Sequence, residues 1–472
     1  MTADTGAEPD NFRDKIATAD RSGRRIWVYP LQPKGRLYAA RTLVAAGLLI
    51  FLFAAPFIRL HGRPLILLDV LGRNFIILGL VFRPQDFYLV VIAILTLLVF
   101  ILLFTAIFGR LFCGWICPQT VFMEMVFRRI EYWIEGGPAK QRKLREGPWT
   151  EVKLARWTLK QGIFFFLSFV ICNLLLSYII GIDTLFHIIA QPVSEHVAGF
   201  VAIVVFTLLF FGVFSWFREQ VCTLVCPYGR LQGVLLDSNS IQVAYDYHRG
   251  EPRTKFQKGK DRSGHGDCVA CSACVAVCPT GIDIRNGTQL ECVNCTACID
   301  ACNGVMRRVG LPEGLIRYTS ESRLAMQKGF RLTGRVVVYA VAFLVLVTLF
   351  TTFLASRSDV QATILRTPGT LFFETQPGTI RNLYSLKLVN KTFEEMPVRL
   401  RLKAPKGGSI AMVAGDPVIA PDGVVESAFF VDIPRAQLYS SSTMVQIEIL
   451  HGNDVLETIT TSFSGPVQGS HR

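Results

Sequence analysis

The sequence predicts a polytopic α-helical membrane protein of about five spans, with a cysteine-dense insert and a C-terminal all-β sandwich of immunoglobulin-like architecture. Three observations predict it: five long apolar stretches, eight cysteines between Cys268 and Cys302, and a cysteine-free tail of short alternating runs. Of 472 residues, 51% are hydrophobic and 18% charged, whereas an ordinary soluble domain carries about 25% charged residues. The formal charge is +13, from 49 Lys and Arg against 36 Asp and Glu. In a membrane protein such an excess lines cytoplasmic loops rather than nucleic acid. A disordered chain, a secreted disulfide protein and a soluble nucleic-acid binder are excluded.

The apolar stretches are approximately 37–58, 88–108, 163–182, 197–217 and 335–355, each near the 20 or so residues that cross a bilayer. Arg41 sits near the first boundary, where a basic side chain is expected to snorkel to the headgroups. Residues 64–82 are apolar too, but Asp69 and Arg73 interrupt them, so they read as a re-entrant or interfacial segment. Basic residues number seven before 37, ten in 109–162 and fifteen in 218–334, against four in 59–87 and none in 183–196. The positive-inside rule then places the N-terminus and the insert in the cytoplasm. The polar leader does not resemble a secretory signal, and the first span reads as an uncleaved anchor.

The segments follow as a polar N-terminus (1–36), a four-span membrane domain (37–234), the insert (235–334), a fifth helix (335–355) and an outer domain (356–472). The outer domain is periplasmic if the membrane is a bacterial inner membrane. It balances 11 basic with 11 acidic residues. Runs 383–389, 397–403, 426–433 and 444–450 alternate apolar and polar residues between turn signals, the pattern of a β-sandwich.

Within the insert, Cys268-x2-Cys271-x2-Cys274-x3-Cys278-Pro279 is followed by Cys292-x2-Cys295-x2-Cys298-x3-Cys302. Three thiolates on a tight loop grip one [4Fe-4S] cubane, and the fourth cysteine reaches the other cluster. The insert therefore reads as a dicluster ferredoxin-like (α+β) domain. One cluster takes Cys268, Cys271, Cys274 and Cys302, and the other takes Cys292, Cys295, Cys298 and Cys278. The alternative is a pair of zinc sites; disulfides are disfavoured on a reducing face.

Cys113-Gly-Trp-Ile-Cys117-Pro118 follows the second span, and Cys222-Thr-Leu-Val-Cys226-Pro227 follows the fourth at the same offset. Proline favours the first position of a helix, so Cys117 and Cys226 should be N-caps, where the helix dipole lowers a thiol pKa. Four such thiols at the membrane surface form a candidate catalytic and copper-binding set, because soft thiolates prefer Cu(I). The bland alternative is that they pack helix ends. Cys172 reads as packing, and His61, His187 and His196 as unrelated surface residues. No dinucleotide or P-loop glycine pattern occurs, so electrons should come from a cytoplasmic protein or a quinol rather than a bound nucleotide.

The two Cys-x3-Cys-Pro motifs, the run Cys222–Arg230, the twin ferredoxin runs and the tail opening Asn382-Leu-Tyr-Ser-Leu together resemble the FixG/RdxA/CcoG family of cytochrome c oxidase accessory proteins. That resemblance implies a role in assembling a cbb-type oxidase through reduction of Cu(II) to Cu(I), with a copper chaperone and oxidase subunits as partners. Two alternatives accompany it. One is a quinol dehydrogenase of the NapH type, relaying electrons to an outer partner. The other is a non-enzymatic assembly scaffold.

Overall fold

A computed structural model describes residues 18, 19, 22, 24–60, 62–70, 72, 74–82, 86–257, 259, 262–326, 333–367, 372–376, 378–392, 394–421, 423–438 and 440–466. The chain divides into two compact units, Met1–Phe350 and Thr351–Arg472.

Among the described residues of the chain, five helices are long and apolar enough to cross a membrane: Arg36–Ala54, Phe87–Phe108, Glu151–Ile180, Val197–Phe217 and Gly334–Ala355. The third starts well before its apolar stretch because Thr150 caps it, its hydroxyl accepting from the Lys153 amide at 3.2 Å. That cap satisfies one of the orphan donors at a helix start. Residues 64–82 are not helical. Ile66–Asp69, Asn74–Ile77 and Leu80–Phe82 form a three-stranded antiparallel meander. Its first turn is tied by Asp69, whose carboxylate accepts from the Gly72 amide at 2.7 Å, a side-chain turn that competes with helix. Arg73 lies outside the described residues.

Arg41 does not snorkel. It is 2% exposed, and its Nε donates to the Gly114 carbonyl at 2.7 Å. A helix start packed against protein offers a carbonyl where water would otherwise be the partner, so the guanidinium turns inward.

The insert is held on the membrane helices by backbone and side-chain hydrogen bonds. Ile241 donates to the Ile107 carbonyl at 2.8 Å, and Ser240 Oγ to that of Ala106 at 2.7 Å. Asp300, on the insert helix Ala297–Val309, accepts from the amides of Leu37 (3.3 Å) and Tyr38 (2.7 Å). Gly35 has no side chain with which to cap the helix it precedes, so a carboxylate from distant sequence does so. Strands Gln242–Tyr245 and Ile316–Thr319 pair antiparallel and bracket both cysteine runs.

The described residues of the second unit form two main β-sheets and a two-stranded ribbon, Met396–Pro397 with Val418–Ile419. One sheet orders Ser409–Met412, Val424–Pro434, Thr379–Asn390 and Val360–Arg366, with Phe373–Gln376 paired to Thr379–Asn390. The other orders Arg399–Ala404, Ser442–His451 and Asp454–Ser464. Alternate residues such as Tyr384, Leu386, Phe429, Val431, Val445 and Ile447 form one buried core, as period-two patterning requires. Tyr384 ties the sheets, its ring stacked on Phe429 at 5.5 Å and its hydroxyl donating to the Ser462 carbonyl at 2.8 Å. Tyr384→Phe keeps the ring and strands that carbonyl. Calorimetry of the full chain should show the tail's transition destabilised by about 1 kcal/mol.

Candidate functional site

Both cysteine runs fold into the same backbone figure. Ala270 and Ser272 flank Cys271, and Asn294 and Thr296 flank Cys295; all four hold φ between 50° and 66°. A left-handed non-glycine residue costs about 1–2 kcal/mol, so four at matching offsets mark a constrained purpose. Turns of this kind gather backbone N–H groups into anion-binding concavities of the sort found at iron–sulfur sites.

Cys268, Cys274 and Cys302 share a buried cluster with Val269, Ile299 and Met306, while Cys271 is exposed. The charges felt by Cys302 are those of Cys274, Cys271 and Cys268. Cys278 instead acts on Cys292, Cys295 and Cys298. The fourth cysteine of each run thus stands with the other run's first three. Burial pushes the Cys302 thiol up to about 12 and Cys274 to about 11, a cost that a cationic metal group relieves on binding.

No three His, Cys, Asp or Glu side chains among the described residues could hold one metal ion together. That geometry disfavours a mononuclear zinc site, where ligands converge on a point. A cubane takes one thiolate per iron, so its ligands stand apart. The fit extends to unpaired donors: Arg41 Nη2 is buried without a hydrogen-bond partner, and its charge acts on Cys295.

The two membrane motifs repeat each other in backbone as in sequence. Cys117 caps the helix Pro118–Val121 and Cys226 caps Pro227–Leu235, each with proline at the helix start. Cys226 Sγ accepts from the Gly229 amide at 3.4 Å. Gly109 and Arg218, each four residues before the next motif cysteine, end their spans at φ 56°, ψ −129° and φ 54°, ψ −124°. Arg110 donates to the Gly229 carbonyl, and Gln119 Nε2 to that of Arg218 at 3.2 Å, so each copy is bonded to the other.

Two expectations for these cysteines need correction. Burial pushes Cys113 up to about 11 and Cys222 to about 12, and it raises Cys117 despite the amides of Gln119 and Thr120. Burial outweighs the dipole here, although the helix that begins at Pro118 runs on through a π-helical segment to Ile134. Nor do the four thiols converge on one ion. They feel one another's charge, yet no three of them could hold a metal together.

What the first motif does touch is the second ferredoxin loop. Cys113 packs with Val277, Val293, Cys295 and Ala297. A Cβ on Gly114 would lie 2.4 Å from the Val293 carbonyl oxygen and 2.9 Å from the Asn294 carbonyl carbon. Only glycine permits this approach. Arg41, Gly114 and Asp300 make this junction, and sequence reasoning missed all three functionally. The glycine inside Cys113-Gly-Trp-Ile-Cys117 was the one available signal.

The remaining singled-out residues stay apart from the site. Cys172 is fully buried in its helix. His187 and His196 both bond Gln191, and His61 lies outside the described residues.

Apolar spanning helices, twin ferredoxin loops and a thiol motif packed on one of them define a membrane iron–sulfur electron-transfer protein. Family comparison agrees. Residues 217–321 match a 4Fe-4S dicluster domain, residues 90–137 a 4Fe-4S binding domain, and residues 350–466 the Ig-like fold at the C-terminus of FixG. Protein RdxA of Cereibacter sphaeroides is 34% identical over 401 residues, covering 81% of this chain and 83% of its own. Protein RdxB of the same organism is 33% identical, covering 80% and 82%. Nitrogen fixation protein FixG of Rhizobium meliloti is 30% identical over 477 residues, covering 88% of each. The chain belongs to the FixG/RdxA family.

Proposed function

We propose that this protein reduces Cu(II) to Cu(I) at its membrane cysteines, as a step in assembly of a cbb-type cytochrome c oxidase. The observation that carries the reading is the seating of Cys113 and Gly114 directly on the Val293–Asn294 loop. Cys268, Cys271, Cys274 and Cys302 would hold one cluster, and Cys292, Cys295, Cys298 and Cys278 the one beside the motif. When bound, these clusters supply single electrons, the unit that Cu(II) consumes.

The protein's own groups do the rest. Cys113, Cys117, Cys222 and Cys226 offer soft sulfur to copper, which favours the Cu(I) product. The four thiols stand apart among the described residues, an arrangement that suits binding by fewer than four of them. Such binding is weaker than a four-thiolate cage, so Cu(I) can pass to a chaperone's thiols. Arg110, whose charge acts on Cys113 and Cys222, compensates the negative charge of thiolates in a buried place. The distribution of basic residues supports an inner-membrane orientation with the ferredoxin insert cytoplasmic and the Ig-like domain periplasmic.

The test is anaerobic. Dithionite-reduced, desalted protein is mixed with Cu(II), and the Cu(I)-chelate absorbance is followed in wild type and in a variant with all four motif cysteines changed to alanine. Cu(I) should appear with wild type and fall at least about tenfold in initial rate with the variant. Equal rates would mean that copper takes electrons adventitiously from the clusters, and the reading would fail.

A further inference from the structure

The relay needs a source of electrons, and the first unit holds, outside the cysteine sites, a cavity of about 600 Å³, within the usual range for small-molecule sites. It lies among the span ends that carry the cysteine motifs. Trp27, Trp149, Trp157 and Trp216 contribute to its walls, and Glu131, Glu135, Lys160, Gln161 and Arg218 line it as well. Trp149, Trp157 and Trp216 are exposed and belong to the ends of spanning helices, the level at which tryptophan marks the membrane interface. The mouth is therefore aromatic, while ionisable groups line the interior.

The interior cations are already engaged. Arg218 pairs with Glu131 through both terminal nitrogens at 3.1 and 2.6 Å. Lys160 holds Glu135 at 2.7 Å, and Lys153 donates to the carbonyls of Arg145 (3.0 Å) and Gly147 (2.6 Å). Arg25 and Arg145 cover the ring of Trp27 at 3.7 and 3.5 Å. Lys153 and Arg145 meet carbonyls and a ring rather than carboxylates, so the lining keeps a net positive charge beside its two ion pairs. The lining also holds a spare acceptor: Gln161 Oε1 is buried without a hydrogen-bond partner. An aromatic mouth and a spare buried acceptor suit a flat hydroxyl donor.

Arg218 gives the cavity its direction. It lines this cavity and also a second gap, together with Glu219, Cys222, Pro279 and Thr280. Its backbone sits at φ 54°, where the first motif has Gly109, so an arginine is held in a conformation that costs about 1–3 kcal/mol. One strained side chain separates the cavity from the turn that follows Cys278.

From this geometry we infer that the cavity binds a membrane quinol, the two-electron donor to the relay. One quinol hydroxyl donates to Gln161 Oε1 and the other faces Glu135. Oxidation breaks both O–H bonds: one proton goes to the Glu135 carboxylate, the other to water, and the two electrons leave singly toward the iron–sulfur centres, giving quinone. The inference rests on the electron-relay reading but not on copper.

The test uses full-length protein in detergent with no copper present. Binding is read by tryptophan quenching with the quinol analogue 2-heptyl-4-hydroxyquinoline N-oxide. Transfer is read by cluster bleaching with decylubiquinol under argon. Wild type should show saturable quenching near one analogue per chain, and Gln161→Met should weaken it about tenfold, the effect of about 1.4 kcal/mol. Glu135→Gln should retain quenching and slow bleaching about tenfold, with dithionite bleaching and iron content unchanged in both variants. No saturable quench, or quenching and bleaching equal to wild type in both variants, would overturn the proposal. So would a quench abolished by added phospholipid vesicles and indifferent to Gln161→Met, which would assign the cavity to a lipid. Failure of copper reduction with quinol bleaching intact would remove the copper reading and leave this one standing.

Discussion

Gly114→Ala should strip the cluster beside the membrane motif and leave the other in place. Two effects compete at this position. Alanine favours the short helix Leu111–Trp115 by up to about 1 kcal/mol over glycine. Against that, its Cβ would stand 2.4 Å from a backbone oxygen, that of Val293. Backbone cannot rotate away as a side chain can, and overpacking of this kind costs about 1–3 kcal/mol. The clash wins, and it falls on the loop between Cys292 and Cys295. Iron per chain should drop by about half, with a corresponding loss of reduced-cluster EPR intensity. Gly304→Ala is the control, since a Cβ there meets nothing within 4 Å. Full iron content in Gly114→Ala would mean that the loop and the motif are not in firm contact.

The crossed ligand sets give the second large effect. Cys298 and Cys302 lie one turn apart on the helix Ala297–Val309, yet Cys292 and Cys295 act on the first and Cys268 and Cys271 on the second, with Cys274 common to both. Cys302→Ala should cost about half the iron. Adding Cys268→Ala to it should cost no more, because both serve one cluster. Adding Cys292→Ala instead should remove nearly all iron, because the second cluster is then lost as well. Iron and sulfide analysis on anaerobically purified protein checks this. The reverse pattern would show that each run keeps its own fourth cysteine.

Much of this architecture is legible in sequence because its signals are periodic or spaced. The runs 383–389, 426–433 and 444–450 fall inside strands Thr379–Asn390, Val424–Pro434 and Ser442–His451, since alternation in a half-buried sheet is a local property. Strand Asp454–Ser464 gave no such signal. Its threonines, serines and Glu457 dilute the alternation that carries Ile459 and Phe463 into the core, and it is placed by pairing with Ser442–His451. The meander at 66–82 was hidden for the opposite reason: Ile66, Leu67, Ile76 and Val81 are apolar enough for a span, and only the Asp69–Gly72 turn breaks the helix. Proline after Cys117 and Cys226 announced two helix starts correctly. The thiol acidity expected at Cys117 failed because burial depends on what the rest of the chain places around a sulfur, which spacing does not reveal. For the same reason Arg41 read as a headgroup anchor and proved to be a buried donor to Gly114.

The central claim is an ordered path in which the cluster held by Cys292, Cys295, Cys298 and Cys278 adjoins the membrane thiols and the other cluster lies behind it. The most direct measurement is single-turnover stopped flow on two reduced, single-cluster variants, Cys268→Ala and Cys292→Ala, mixed anaerobically with a slight excess of Cu(II). The account predicts that Cys268→Ala, which keeps the adjoining cluster, forms about one Cu(I) per chain at nearly the wild-type rate. It predicts that Cys292→Ala, which keeps only the distant one, loses the fast phase. Fast Cu(I) formation by Cys292→Ala, with Cys268→Ala slow, would contradict the path.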